Sequence, residues 1–173
     1  RQAGQGGAGR QAREGDMAAD LKAKGNAHFK NGEHEQAVEC FTEAIALEPG
    51  NHVFYSNRSA ALASLAKFDE ALADAAKVVE LKPDWPKGYS RKGAAEVGLK
   101  RFDEAIASYQ QGLALDPANA TLQEGLRDAE AAKAAGAPNP VAQMFSDPGL
   151  LGKLAMNPQT SAFLQQPDFL QMI

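Results

Sequence analysis

The hydrophobic and polar positions of this chain repeat with a period of 34 residues. Each period contains two apolar patterns with the spacing of one helix face, separated by a short polar turn. Each period also closes with a proline, and these prolines are Pro49, Pro83 and Pro117. Two short amphipathic helices cannot bury their apolar faces alone, so the pattern predicts a helix–turn–helix unit that is stacked three times. The predicted fold is therefore all-α, with a concave surface.

The predicted helices form two sets. The first helix of each repeat, helix A, is expected near residues 18–31, 52–65 and 86–99. The second, helix B, is expected near residues 34–47, 68–81 and 102–115. Small residues recur where the two helices of a pair must approach closely, and these are Gly25, Ser59, Gly93, Ala37, Ala71 and Ala105. A weaker helical pattern at 118–135 predicts a capping helix that covers the last apolar face.

The two ends of the chain differ in composition from the repeats. Residues 1–16 are rich in Gly, Gln, Ala and Arg without apolar periodicity, so we expect a disordered extension before the repeat domain at 17–135. Residues 136–140 are predicted to be a linker. Between 141 and 173, Asn-Pro and Asp-Pro pairs punctuate apolar runs and predict several short helices. Because the apolar pattern is still in progress at Ile173, we expect this to be part of a module.

Composition and motifs narrow the classes of function. A formal net charge of -4 without a basic arm argues against nucleic-acid binding, and no apolar stretch is long enough for a membrane span. Cys40, the only cysteine, lies on an apolar stripe and is expected in the core. With no secretory signal, we expect a cytoplasmic protein, with the nucleus as an alternative. The histidines lack metal-ligand spacing, and no catalytic triad, phosphate loop or cofactor motif is present, so we expect no enzyme, metal or cofactor.

Five polar side chains share one stripe of the predicted A helices. They are Lys22, Asn26, Asn57, Lys87 and Arg91. Counted from the first residue of each repeat, they occupy positions 2, 5, 6 and 9, which face the same side of a helix. Lysine and arginine donate charge-assisted hydrogen bonds to carboxylates, and asparagine donates without like-charge repulsion. The stripe therefore predicts a groove for two neighbouring carboxylates, as at a peptide's C-terminal aspartate. The alternative is an ordinary solvated helix face.

The period resembles the tetratricopeptide repeat over roughly residues 18–135. The strings KGN at 24–26, YSNRSAA at 55–61 and KPDWPKGYSRKGAA at 82–95 resemble the first repeat domain of the Hsp70/Hsp90 organising protein family, Hop or Sti1. The resemblance implies a right-handed superhelix of three repeats plus a capping helix. It also implies a two-carboxylate clamp for the C-terminal EEVD tail of Hsp70, with Hsp90 as an open alternative.

The resemblance also implies roles for the five stripe residues. In that family Lys22, Asn26 and Asn57 would surround the terminal carboxylate. Lys87 and Arg91 would reach the aspartate side chain and the adjacent backbone. The residue types at all five positions match the family's pattern.

The segment from Asn139 onward resembles the Asp-Pro-rich module of the same family, and this order of modules implies a preference for Hsp70. The implied function is a non-enzymatic co-chaperone adaptor that assists chaperone assembly and transfers client polypeptides through the tail module. Three alternatives stay open. They are a small glutamine-rich repeat co-chaperone, the targeting module of a phosphatase or prolyl isomerase, and a scaffold whose groove takes an internal helix.

Overall fold

The computed structural model of the chain describes residues 6–136, which form seven helices and no strand. The helices are α1 (Gly6–Lys30), α2 (His34–Leu47), α3 (His52–Ser64), α4 (Phe68–Leu81), α5 (Pro86–Gly98), α6 (Phe102–Leu115) and α7 (Ala120–Gly136). The three predicted helix pairs and the capping helix are confirmed. The B helices begin and end where the pattern predicts, and the A helices end one residue earlier.

The first helix begins well before the first repeat. Residues 6–16, expected to be disordered, are helical and continue α1 toward the N-terminus. Residues 10–14 are all good helix formers, and a helix that tertiary packing has already nucleated extends through them despite the glycines at 6, 7, 9 and 15. Side chains 9–13 are exposed, so this extension has no apolar face for the periodicity to reveal. Residues 1–5 lie outside the described range.

Each proline of the repeat ends a B helix and anchors the helix that follows. The B helices end two residues before the proline, because a proline cannot donate a backbone hydrogen bond and restricts the residue before it. The next helix then donates a side-chain hydrogen bond to the proline's carbonyl oxygen. These bonds are Tyr55 Oη to Pro49 at 3.0 Å, Tyr89 Oη to Pro83 at 2.9 Å and Gln123 Nε2 to Pro117 at 2.8 Å.

Small residues set the distance between paired helices, as predicted. A Cβ placed on Gly25 would lie 2.6 Å from the ring of Phe41, and one on Gly93 would lie 2.7 Å from the ring of Tyr109. In the middle repeat Ser59 is buried, and its hydroxyl donates to the carbonyl oxygen of Ala71 at 2.8 Å. The first helix of each pair therefore lies directly against an aromatic ring or a backbone carbonyl of the second.

The A and B helices form two different layers. The A helices α1, α3 and α5 contact one another in order, while each of α2 and α4 packs against the A helices on either side. Among these fully described helices, α2 and α4 do not contact each other. The layer whose members touch is the inner side of a curved array, so the A helices line the concave surface.

The capping helix covers the last apolar face, as predicted. Leu122 and Ala129 of α7 are fully buried and pack with Ala105 and Tyr109 of α6. Leu126 contributes a partly buried side chain to the same cluster. The opposite face of α7 is polar and exposed, which is what a terminal repeat needs.

Residues 6–133 belong to one compact unit. The described helices include none that is both long and apolar enough to cross a membrane. Most of the predicted linker at 136–140 and all of the predicted module at 141–173 lie outside the described residues.

The close approach at Gly93 yields a stability prediction. We expect Gly93→Ala to lower the free energy of unfolding by about 1–3 kcal/mol, because the added methyl overlaps the Tyr109 ring, which is buried and packed against Gly125 of α7 and so cannot swing aside. Gly50→Ala is the matched control, since its Cβ would meet nothing within 4 Å and the backbone there has no positive φ. Urea denaturation of both variants measures the difference. Equal stabilities would contradict this account of the packing.

Candidate functional site: a carboxylate-binding groove

Charge is divided between the two helix layers. In each A helix, α1, α3 and α5, lysine and arginine outnumber the acidic residues. In each B helix, α2, α4 and α6, the acidic residues are in excess. The concave layer is therefore positive and the outer layer negative, although the whole chain carries a formal charge of -4. This separation gives the groove a field that attracts anions.

Three of the five predicted site residues line one small cavity. Asn26 of α1, Asn57 of α3 and Arg91 of α5 surround a space of about 150 Å³, together with Phe29, Phe41 and Ala60. The Asn57 Nδ2 donates to the Asn26 Oδ1 at 3.1 Å, so the two amides orient each other. Each amide keeps N–H donors that this bond does not use. One residue from each repeat thus contributes to a single polar wall.

Arg91 is a partly buried cation that forms no ion pair with another described residue. Its Nε is buried and has no hydrogen-bond partner among the described residues, and none of the ion pairs found there includes it. Desolvation by burial lowers the pKa of Arg91. A buried donor without a partner destabilises a fold by about 1–3 kcal/mol. An anionic ligand in the groove would remove that penalty.

Lys87 lies one turn before Arg91 on the same face of α5. The two cations line a second cavity of about 320 Å³, together with Pro86, Ser90, Asn119 and Thr121. Burial lowers the pKa of Lys87, and the nearby charge of Arg91 lowers it further. The Lys87 Nζ also lies 5.8 Å from the centroid of the Trp85 ring, at a distance where the ring face attracts the ammonium. Two like charges are therefore held together beside open space.

Lys22 is the predicted residue that neither cavity includes. It is half-buried on α1, one turn before Asn26 on the same helix face. Its side chain is not among those lining the three cavities that include Arg91 in the described part of the chain. The structure thus brings together Asn26, Asn57, Lys87 and Arg91, with Arg91 shared between the cavities, and does not place Lys22 among their lining residues.

A second arginine shows what a compensated cation looks like in this fold. The Arg58 Nε and Nη2 donate to the two carboxylate oxygens of Asp74, each at 2.7 Å, and Nη1 donates to Thr42 Oγ1 at 3.1 Å. The hydrogen bond to Asp74 is the main cause that raises the pKa of Arg58. Arg58 therefore ties α3 to α4 and is not available to a ligand.

Several lining residues were missed by the sequence analysis. Ser90, Asn119 and Thr121 line the second cavity, but single hydroxyl and amide side chains carry no periodic signal. Asn119 had a recognisable role as a helix cap, since its Oδ1 accepts from the backbone N–H of Leu122 at 3.2 Å. Its position after Pro117 matches Asn51 after Pro49, and the Asn51 Oδ1 accepts from the N–H of Val53 in the same way.

Trp85 packs in the turn before α5, with its ring nearly perpendicular to the His52 ring at 4.8 Å between centroids. Cys40, expected in the core, is half-buried, and burial raises the pKa of its thiol. Within residues 6–136, no group of three or more His, Cys, Asp or Glu is placed to hold a metal ion.

Two family models, both described as tetratricopeptide repeat, match this chain, one over residues 18–51 and the other over residues 86–119. A wheat (Triticum aestivum) Hsp70-Hsp90 organizing protein is 55% identical over 164 residues, covering 91% of this chain and 28% of that relative. The chain therefore spans a little over a quarter of that relative's length.

Two solved domains are similar in structure and contain bound peptides. The first tetratricopeptide domain of Spaghetti (RPAP3), bound to the HSP90 peptide SRMEEVD, is 37% identical with a TM-score of 0.65, covering 69% of this chain and 94% of that one. The second such domain of the human RPAP3 protein, in complex with the HSP70 peptide SGPTIEEVD, is 30% identical with a TM-score of 0.65, covering 68% and 98%.

The contrast between the two arginines can be tested by matched substitutions. We expect Arg91→Met to raise the free energy of unfolding by about 1 kcal/mol, because methionine keeps the apolar stem and removes an uncompensated charge. Arg58→Met should lower it by about 3 kcal/mol, because Asp74 would be left buried without its partner. Chemical denaturation of the free chain measures both. Destabilisation by Arg91→Met would mean that its charge is compensated in the unliganded protein.

Proposed function

Because this chain belongs to the tetratricopeptide-repeat family, we propose that it is a co-chaperone adaptor that binds the C-terminal EEVD tail of Hsp70, with the Hsp90 tail as a second ligand. It acts in the cytosol as a non-enzymatic part of a longer protein that assembles the two chaperones. The observation that carries the proposal is the meeting of Asn26, Asn57 and Arg91, one from each repeat, in one cavity beside Lys87.

The proposed binding mode assigns one carboxylate to each side of Arg91. The ligand's terminal carboxylate accepts hydrogen bonds from the Asn26 and Asn57 amides, with the Lys22 ammonium reaching it from one turn away. The side-chain carboxylate of the last residue lies between Lys87 and Arg91. Phe29, Phe41 and Ala60 form the apolar part of the first cavity, which suits the aliphatic side chain next to the terminal residue.

The expected affinity is moderate. Hydrogen bonds to charged groups contribute about 1.5–3 kcal/mol each, and the groove offers several. A flexible tail must be ordered on binding, which removes part of that gain. The net binding free energy should be about -7 to -8 kcal/mol, which corresponds to a micromolar dissociation constant.

The relatives support this proposal over the alternatives. The wheat relative is named for organising both chaperones, and the two solved domains hold peptides that end in EEVD. Those names favour an organising adaptor over the targeting module of a phosphatase or prolyl isomerase. The segment 141–173 is proposed to contact client polypeptides during their transfer between chaperones.

Charge removal tests the clamp directly. We expect Lys87→Ala and Arg91→Ala each to weaken binding of the peptide SGPTIEEVD by more than about tenfold, because each loses a charge-assisted hydrogen bond. Lys77→Ala is the matched control, since it removes a lysine from α4, where Lys77 pairs with Glu80. Calorimetry with this peptide and with SRMEEVD, side by side, also measures the chaperone preference. Unchanged affinity of the Arg91→Ala variant would contradict the proposed carboxylate clamp.

Changing the peptide instead of the protein tests whether the groove recognises a free C-terminal carboxylate. Amidating the C-terminus of the peptide should nearly abolish binding, because the amide cannot accept the hydrogen bonds of a carboxylate. Raising the salt concentration from about 0.05 to about 0.5 M should weaken binding of the acidic peptide, since the groove is open to solvent. If the amidated peptide binds as well as the acid, the groove instead accepts internal segments, as the scaffold alternative requires.

A further inference from the structure

The second cavity lies between α5 and the start of the capping helix α7. Lys87, Ser90 and Arg91 supply its α5 wall, and Asn119 and Thr121 supply the other wall. At about 320 Å³ it is more than twice the volume of the cavity between the asparagines. A capping helix that only covers the last apolar face would not need to border a polar cavity beside the groove's cations.

Buried contacts hold the start of α7 in place at this cavity. Leu122 is fully buried against α6, and a Cβ on Gly112 would lie 2.8 Å from its side chain, so the first turn of α7 cannot shift. Asn119 holds the turn before it, because its Nδ2 donates to Asp116 Oδ2 at 3.0 Å while its Oδ1 caps the helix. Thr121, the residue before Leu122, is exposed on the side that lines the cavity.

The chemistry of the two walls is complementary. The α5 wall presents two cations whose pKa values burial lowers and which repel each other. The facing wall adds the hydroxyl of Thr121, and Ser90 adds another from α5. Hydroxyls can donate to an anion that already accepts from lysine and arginine, and they add no charge to repel the cations. The cavity as a whole fits a carboxylate better than a cation or an apolar group.

We propose that α7 takes part in ligand recognition, with Thr121 and Ser90 completing, around Lys87 and Arg91, a subsite for the side-chain carboxylate of the ligand's last residue. This inference rests on the proposed function, because it assigns the second carboxylate of the same ligand. Thr121 is then a specificity-determining residue that acts on the side chain and not on the free chain end. The capping helix serves both the core and the groove.

The test uses a charge placed inside or just outside this cavity. We expect Thr121→Glu to weaken binding of SGPTIEEVD by at least tenfold, because the new carboxylate occupies the subsite and pairs with the cations. Ala120→Glu adds the same charge at the preceding position of α7, where the side chain is exposed and does not line the cavity, and should change affinity less than threefold. Thermal unfolding of both variants in the full chain checks that each is folded. Equal effects of the two substitutions would overturn the inference.

A peptide that ends in asparagine instead of aspartate separates this inference from the proposed function. It keeps the terminal carboxylate and loses only the side-chain charge. We expect Thr121→Val to weaken binding of the aspartate peptide about threefold and to leave binding of the asparagine peptide unchanged. If the original chain binds neither peptide, the proposed function itself fails. If it binds the aspartate peptide well and Thr121→Val has no effect, α7 has no part in recognition.

Discussion

The close packing of paired helices against small residues is the constraint on which the groove depends. The ring of Phe41 fills the space where a Gly25 side chain would be, and the ring of Tyr109 does the same at Gly93. Gly25 directly precedes Asn26, and Gly93 comes two residues after Arg91. The buried face therefore fixes the rotation of each A helix about its axis. That rotation directs the amide and the guanidinium into the concave surface.

The groove is held in a state that is unfavourable for the empty protein. Arg58 and Arg91 occupy neighbouring positions in their repeats, yet one is paired with a buried carboxylate and the other has no such partner in the described structure. Uncompensated cations lower stability, and natural proteins accept this at sites where an anion will bind. The outer layer carries the acidic residues, so they do not neutralise the cations of the groove.

This arrangement suits a module that must recognise a short flexible ligand reversibly. The two cavities share Arg91, so a single ligand residue with two carboxylates can engage both. Rigid packing of the A helices means that little of the groove has to be ordered on binding, and most of the entropic loss falls on the tail. Moderate affinity allows such a ligand to be released again, as reversible recognition requires.

Much of this protein was determined by local sequence alone. The 34-residue period, the prolines that end the B helices and the small residues at helix contacts act through neighbouring backbone and steric size, so the repeats and the stripe of five polar residues were predictable. Whether these five side chains meet in one cavity was not predictable in the same way, because this depends on distances between helices, and side-chain packing sets those distances. Only the tertiary structure shows that Arg91 joins the two asparagines in a cavity that Lys22 does not line, and that Thr121 borders the groove. It also shows that α1 extends through residues that have no apolar face, so hydrophobic periodicity could not predict this part of the helix.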